Sequence, residues 1–220
     1  MAYNSFGSLW SASSNTTAGT QAGTTVAQQA SITSFANTGP LWVWQNIGNA
    51  GSVTPAIWPR ALRLLLTGTA PTGTLHLNLA VIVDTVAPAI TNPGLVSQNY
   101  NQDGRDSSTK SVSQITGYLA ASALSVTAPS SAARTVCRAR LATGVAVNGD
   151  AYTFQFGLQD QAMGNGHAGA AARATDPAHL AVQALGFSIA PTEVAYVYLW
   201  WVTSATNVPT WEWVFEWYEL

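Results

Sequence analysis

Runs in which apolar and polar residues alternate constrain the fold of this chain more than any other feature. In Thr74–Asp84, leucine and valine occupy one set of alternate positions, while His76, Asn78 and Asp84 occupy the other. The same alternation occurs in Arg134–Leu141, Tyr152–Leu158 and Trp211–Glu219. Because successive side chains of a strand point to opposite faces of a sheet, this period of two indicates half-buried strands.

The number and spacing of these segments favour an all-β fold, a two-sheet antiparallel sandwich. Eight or more short strands with turn residues between them, and almost no helix, favour a jelly roll first. Arg60–Thr67 and Thr74–Asp84 flank the turn-rich segment 68–73, which predicts a β-hairpin. One short helix is predicted, with Asp176 as its N-cap and Gly186 beyond its end.

Charged residues make up 8% of the chain, whereas ordinary globular domains carry about 25%. A surface so poor in charge indicates that other subunits cover much of it. The formal net charge of −2 argues against direct contact with nucleic acid. Cys137 is the single cysteine and can form no internal disulfide, which is typical of a protein made in a reducing compartment.

The N-terminal part of the chain is neutral, since no Asp, Glu, Lys or Arg precedes Arg60. Ser11–Asn37 is rich in small and polar residues and lacks a sustained period of 2 or 3.6. We therefore predict an extended N-terminal arm over residues 1–38 and a β-sandwich domain over residues 39–220. The arm should become ordered only against another subunit, and its removal should leave the sandwich folded but weaken assembly.

Neither a signal peptide nor a membrane span is expected. Met1–Ser5 has no basic region followed by an apolar one. The longest apolar run, Val194–Val202, is about half of the ~20 residues that a membrane helix needs. We predict a soluble protein without a membrane partner.

The nine tryptophans have two interpretations. Exposed on a sandwich face, they would form platforms for sugar rings; buried, they would be core or interface anchors. Most lie in alternating strands beside other apolar residues, which favours burial. The candidate interface or core anchors are Trp200, Trp201, Trp211, Trp213, Phe215 and Trp217.

Two short motifs resemble ligand-binding loops. Gly164–Gly169 matches GxGxxG, but a nucleotide site needs a strand directly before the glycines and a helix behind them, and neither is predicted. Asn99–Gly104 resembles the front half of a calcium loop, but Lys110 stands where the bidentate glutamate should be. We interpret both segments as surface loops.

Catalytic constellations are also missing. Glu212 and Glu216 share a strand face but lie roughly 13 Å apart, beyond the ~5–9.5 Å of glycosidase pairs; a pair drawn from different strands stays open. The histidines His76, His167 and His179 lack zinc-ligand spacing. We predict no catalytic residue, no cofactor and no metal, and hence that the protein is not an enzyme.

Three arginines alternate along one predicted strand, Arg134, Arg138 and Arg140. They favour ion pairs or interface hydrogen bonds.

Taken together, the charge-free segment Met1–Pro59, the Ser/Thr/Ala/Gly-rich arm within it and the strand-only body ending in Trp211–Trp217 resemble the structural proteins of virions. The resemblance is to coat, head-decoration (cement) and tail proteins, and it is compositional. It implies a jelly roll whose arm locks neighbouring subunits in a virus or bacteriophage particle.

The same resemblance implies partners and a location. The partners would be copies of the chain itself and another virion protein, and the protein would be made in the host cytoplasm and reside in the virion. The arm lacks the basic residues of shells that package nucleic acid directly. This departure favours a decoration, cement or tail component, with an uncharged coat arm left open. The alternative function is a carbohydrate- or receptor-binding β-sandwich module with a sugar ligand.

Overall fold

The computed structural model describes residues 8–13, 26–27, 35, 37, 39–48, 54–67, 70–72, 74–91, 100–101, 111–117, 125–156, 186–202 and 210–220. The regular elements of this part of the chain are strands: β1 (Ser8–Ser13), β2 (Val26–Ala27), β3 (Trp42–Asn46), β4 (Ile57–Thr67), β5 (Thr74–Asp84), β6 (Ile90–Thr91), β7 (Tyr100–Asn101), β8 (Ser113–Gly117), β9 (Ser125–Val126), β10 (Arg134–Val145), β11 (Ala151–Gln155), β12 (Val194–Val202) and β13 (Thr210–Glu219). None of the described residues forms a helix that could cross a membrane.

The strands form two principal antiparallel sheets. Sheet A has the order β11-β4-β13-β1-β7, with β2 also paired to β13. Sheet B has the order β10-β5-β12-β3-β8, and β6 and β9 form a separate two-stranded sheet C. The predicted all-β sandwich is therefore confirmed.

Eight of these strands show the nested pairing of a jelly roll. The first pairs with the last (β1 with β13), the second with the seventh (β3 with β12), the third with the sixth (β4 with β11) and the fourth with the fifth (β5 with β10). This is the pairing of a long antiparallel hairpin that is rolled up so that successive strand pairs fall alternately in sheet A and sheet B. The predicted jelly roll is the architecture observed.

The predicted hairpin between β4 and β5 is wrong. Both strands exist, but β4 lies in sheet A and β5 in sheet B. Consecutive strands β4 and β5 therefore belong to different sheets and do not pair with each other. Two alternating strands joined by a short loop give the same sequence pattern whether they pair as a hairpin or lie in opposite sheets of a sandwich. Local sequence therefore does not distinguish the two arrangements.

An aromatic core fills the space between the sheets. Trp211, Trp213, Phe215 and Trp217 all point inward from β13 and are buried, as the alternation of that strand predicts. Trp213, Phe215 and Trp217 meet rings of sheet B edge to face. The ring centroids of Trp42 and Phe215, for example, lie 5.3 Å apart at 87°, whereas Trp211 stacks on Trp201 at 19°. The edge-to-face geometry is a favoured one for aromatic pairs.

The predicted boundary between arm and body at residue 38 is wrong for Ser8–Ser13. These residues form β1, which lies between β13 and β7 in sheet A. Trp10 and Ala12 point inward and belong to the core cluster. The apolar positions, two residues apart, form a half-buried strand, but the serines around them mask that pattern.

Other described parts of the predicted arm also contact the sandwich of their own chain. Val26–Ala27 pairs with β13 through Trp211 and Thr210. The ring of Phe35 packs 4.9 Å from that of Tyr198, and the Tyr198 hydroxyl donates a hydrogen bond to the Asn37 carbonyl. The remaining arm residues lie outside the described part of the chain, as does the predicted helix after Asp176, apart from Gly186 at its end.

Candidate functional site

Most of the motifs tested for catalysis lie outside the described residues. Gly164–Gly169, His167 and His179 are among them, and of Asn99–Gly104 only the main chain of β7 is described. For His76 only the main chain, in β5, is described. No three His, Cys, Asp or Glu side chains of the described ranges come together in a way that could hold a metal ion.

Cys137 occupies the inward face of β10 and is buried in the core. Removal from water disfavours the thiolate and raises the pKa of this thiol to about 12. A nucleophilic cysteine needs the opposite shift, toward neutrality. Cys137 is therefore a small core residue.

The Cys137 thiol should be inert in the folded protein and reactive once the chain unfolds. A disulfide reagent such as DTNB should release almost no thiolate from the native protein at neutral or mildly alkaline pH. In denaturant it should release one equivalent per chain. Rapid reaction of the native protein would contradict the buried, protonated state.

The two glutamates on the outward face of β13 differ in their surroundings. Glu212 is partly exposed, whereas Glu216 is buried. Arg63 and Arg60 cover Glu216, with N···O distances of 3.1 and 3.6 Å. Glu216 therefore belongs to a cross-strand ion-pair group.

We call the outward side of strands β4, β13 and β1 the Trp58 face. Its outward residues include Leu9, Ser11, Trp58, Arg60, Ala61, Arg63, Leu65, Glu212, Val214, Glu216 and Tyr218. Register places Trp58, Tyr218 and Leu9 side by side in one row. Trp58 is 42% exposed, the most exposed of the nine tryptophans. The row is an apolar strip beside the ion-pair group.

The opposite outer face, that of sheet B, is covered within the chain. Val43, Ala80, Tyr196 and Tyr198 are buried there in a second hydrophobic cluster. Ile90 and Val126 of sheet C pack on this cluster, and Phe35 packs on Tyr198 and Trp200. Each outer face therefore carries one exposed large aromatic side chain, Trp58 on the Trp58 face (42% exposed) and Phe35 on the sheet B face (39% exposed).

The predicted anchors divide between these environments. Trp201, Trp211, Trp213, Phe215 and Trp217 are core anchors, each at most 1% exposed. Trp200 points the other way from Trp201 and is partly buried against the second cluster. Adjacent residues of one strand face opposite sides of the sheet, so Trp200 packs outside the core that Trp201 enters.

Asp84 closes one end of the covered face. Ser130 donates two hydrogen bonds to its carboxylate, from the backbone N–H (2.6 Å) and from Oγ (2.8 Å). Burial alone would raise the pKa of Asp84, but these bonds and those from the Val86 and Thr85 N–H groups outweigh it and lower the pKa below 3.8. The bonds to Ser130 fasten the end of β5 to the segment that precedes β10.

The stability of the protein should depend on the charge of Asp84. Its pKa is lower in the folded than in the unfolded chain, so it stabilises the fold above the unfolded pKa, and this stabilisation is lost as pH falls through the folded pKa. Asp84→Asn should lower the free energy of unfolding by about 1–3 kcal/mol at neutral pH. In urea melts, the difference from wild type should shrink below pH 3.8. A difference unchanged in strong acid would contradict the role of the carboxylate.

Strand β10 forms one edge of sheet B and carries the arginines that the sequence predicts for ion pairs. Arg138 and Arg140 lie at outward positions, whereas a register shift between Thr135 and Cys137 places Arg134 opposite the core residue Val83. Arg134 meets Glu193 at 3.2 Å, as expected. Arg138 and Arg140 are exposed and make no ion pair within the described residues. Exposed charges on an edge strand hinder pairing with the edge of another chain.

A polar group closes the sandwich at the opposite edge of sheet B. The Glu219 carboxylate, at the end of β13, accepts hydrogen bonds from Ser111 Oγ (2.5 Å), the Val112 N–H (3.2 Å) and Trp217 Nε1 (3.1 Å). Ser113 Oγ accepts one from Trp44 Nε1 beside it. These groups are satisfied by one another and link the two sheets.

A shallow cleft of about 300 Å³ lies where β3 ends and β12 begins. Its polar lining includes the amide of Asn46. That amide donates to the carbonyls of Pro55 and Ile189 and accepts from the Gly48 N–H. Since these bonds hold the surrounding turns, the cleft is a structural feature.

Comparison with family models, curated proteins and solved structures finds no match to this chain. The function is therefore inferred from the fold and from the surfaces described above. Jelly rolls serve in viral capsids, lectins and cupins, so the fold alone allows several functions.

Proposed function

We propose that this chain is a structural subunit of a virus or bacteriophage particle, a capsid, decoration or tail component, and that copies of it assemble through the outer faces of the sandwich. The nested eight-strand jelly roll carries the proposal. Its core lies within one chain, so the subunit has a complete fold of its own to bring to an assembly. The scarcity of charge supports a surface that is covered by neighbouring subunits.

The proposal assigns the chain no catalysis. Cys137 is buried with a raised pKa, and Glu216 is engaged by two arginines. A second virion protein is the proposed further partner, and direct contact with nucleic acid is not part of the proposal. The described parts of the N-terminal arm contact the sandwich of their own chain, and this restricts the part that the arm can take in contacts between subunits.

The alternative is a carbohydrate- or receptor-binding module, and the exposure of Trp58 beside Tyr218 favours it to a limited degree. A sugar platform requires exposed aromatic rings. Trp10, Trp42, Trp44, Trp201, Trp211, Trp213 and Trp217 are instead buried in the core. A platform would therefore have to be built around Trp58, or around Trp200 and Phe35 on the opposite face.

Two measurements on the purified full chain separate these functions. Sedimentation velocity across a wide concentration range, followed by negative-stain electron microscopy, should show species much heavier than 23.1 kDa and discrete particles or rings. A tryptophan-fluorescence titration with a panel of oligosaccharides should show no saturable change. A monomer at every concentration that binds a sugar would replace the structural proposal with the alternative.

A further inference from the structure

The charges of the Trp58 face are self-complementary. Arg60 and Arg63 already share Glu216, yet their side chains remain 45% and 59% exposed. Each guanidinium has five N–H donors, more than one shared carboxylate can engage. Glu212 lies on the same face, four residues from Glu216 along β13, and makes no ion pair within the described residues. One face thus offers both spare cationic donors and a carboxylate without a cation.

The apolar part of the same face is also left outside the core. Trp58, Leu65, Val214 and Tyr218 are exposed or half-buried, and none belongs to either hydrophobic cluster of the described residues. Tryptophan, tyrosine and arginine are the residue types that contribute most to binding energy at protein interfaces. The Trp58 face combines them on one continuous sheet surface.

We infer that the Trp58 face binds the same face of a second copy of this chain. Such a contact is isologous, so each interacting pair occurs twice about the two-fold axis. Glu212 of each copy meets Arg60 of the other, and Trp58 is the apolar anchor. Arg60 is assigned this role because it is held less closely by Glu216 than Arg63 is. The inference rests on the proposed function and names the surface through which copies associate.

The charge balance of the face selects a copy of this chain over an acidic or basic partner. Arg60 and Arg63 contribute two positive charges, and Glu212 and Glu216 contribute two negative ones. A face with zero net charge attracts neither a polyanion nor a polycation. When two copies of it meet about a two-fold axis, however, the positive groups of one copy can lie against the negative groups of the other.

The test measures the dissociation constant of self-association for the full chain by sedimentation equilibrium. Trp58→Ala and Glu212→Arg should each weaken association at least tenfold, the effect of losing an interface hot spot. The double variant Arg60→Glu with Glu212→Arg should recover most of the wild-type affinity, because the pair is reversed but kept and Arg63 still pairs with Glu216 at 3.1 Å. Circular dichroism should show each variant folded, since Trp58, Arg60 and Glu212 lie outside the core clusters.

Matched controls lie on other surfaces. Arg138→Glu reverses an exposed charge on the edge of sheet B, and Val86→Ala shortens an exposed apolar side chain. Both should leave the dissociation constant within a factor of about two of wild type, as expected for residues outside an interface hot spot.

The outcomes separate the inference from the proposed function. If wild type assembles and the Trp58 and Glu212 variants assemble equally well, another surface mediates assembly and the inference is wrong. Failure of the double variant to recover affinity overturns the Arg60–Glu212 pair. If wild type remains monomeric at all concentrations, both the inference and the proposed function are wrong.

Discussion

Removal of residues 1–13 should abolish the cooperative unfolding of this protein. The deletion removes β1, whose residues pair with β13 from Ser8↔Glu219 to Ser13↔Val214. It also removes Trp10 and Ala12 from the core. Emptying a buried tryptophan site alone costs about 3–5 kcal/mol, and a whole domain is stabilised by about 5–15 kcal/mol. Near-ultraviolet circular dichroism and urea melts would measure the loss of packing and of the transition.

A matched pair of substitutions tests the same strand without shortening the chain. Ala12→Asn places an amide on the inward face, where Ala12 is fully buried, and should destabilise by about 3 kcal/mol or more through overpacking and an unsatisfied polar group. Ser11→Asn is outward and partly exposed, and should change stability by no more than about 0.5 kcal/mol. Equal small effects, together with a folded deletion variant, would restore the N-terminal arm as a separate element.

Trp213→Ala should lower the free energy of unfolding by about 3–5 kcal/mol, the range for truncating a large aromatic residue in a core. Trp213 is 1% exposed and packs edge to face against Trp42 of the opposite sheet and Phe215 of its own strand. Its removal would leave a cavity between the sheets that the paired strands on both sides prevent from collapsing. Denaturant melts at a concentration too low for association would measure the effect.

Glu212→Gln is the control on the opposite face of the same strand. This side chain is partly exposed and makes no ion pair within the described residues. Its replacement should change the stability of the monomer by no more than about 0.5 kcal/mol. Equal, small effects of the two substitutions would mean that the aromatic stripe of β13 faces solvent, and the sugar-binding alternative would then gain support.

The strands with a strict period of two were predictable from sequence. In Trp211–Glu219 the aromatic side chains at odd positions lie inward, as expected, and in β10 Cys137 and Ala139 lie opposite exposed arginines. Fold class follows from the number of such strands. β1 was missed because a single tryptophan and one alanine among serines give little hydrophobic signal. Its burial depends on pairing with β13, about 200 residues away in sequence.

The surroundings of the candidate site were less predictable. The alternation of β13 predicts that Glu216 is exposed, but its burial depends on Arg60 and Arg63, which lie beside it. That placement requires the pairing of β13 with β4 and its register, which local alternation does not specify. For the same reason the row of Trp58, Tyr218 and Leu9 is visible only once three strands distant in sequence are aligned.

Quenching of Trp58 fluorescence tests most directly whether this chain is a subunit that assembles through the Trp58 face. Iodide should quench a fraction of the emission in dilute, monomeric protein, and Trp58→Phe should remove most of that fraction, since Trp58 is the most exposed tryptophan. At concentrations where sedimentation shows assembly, the quenchable fraction of wild type should fall to the level of the variant. An assembled protein in which iodide quenches Trp58 as strongly as in the monomer would contradict the account.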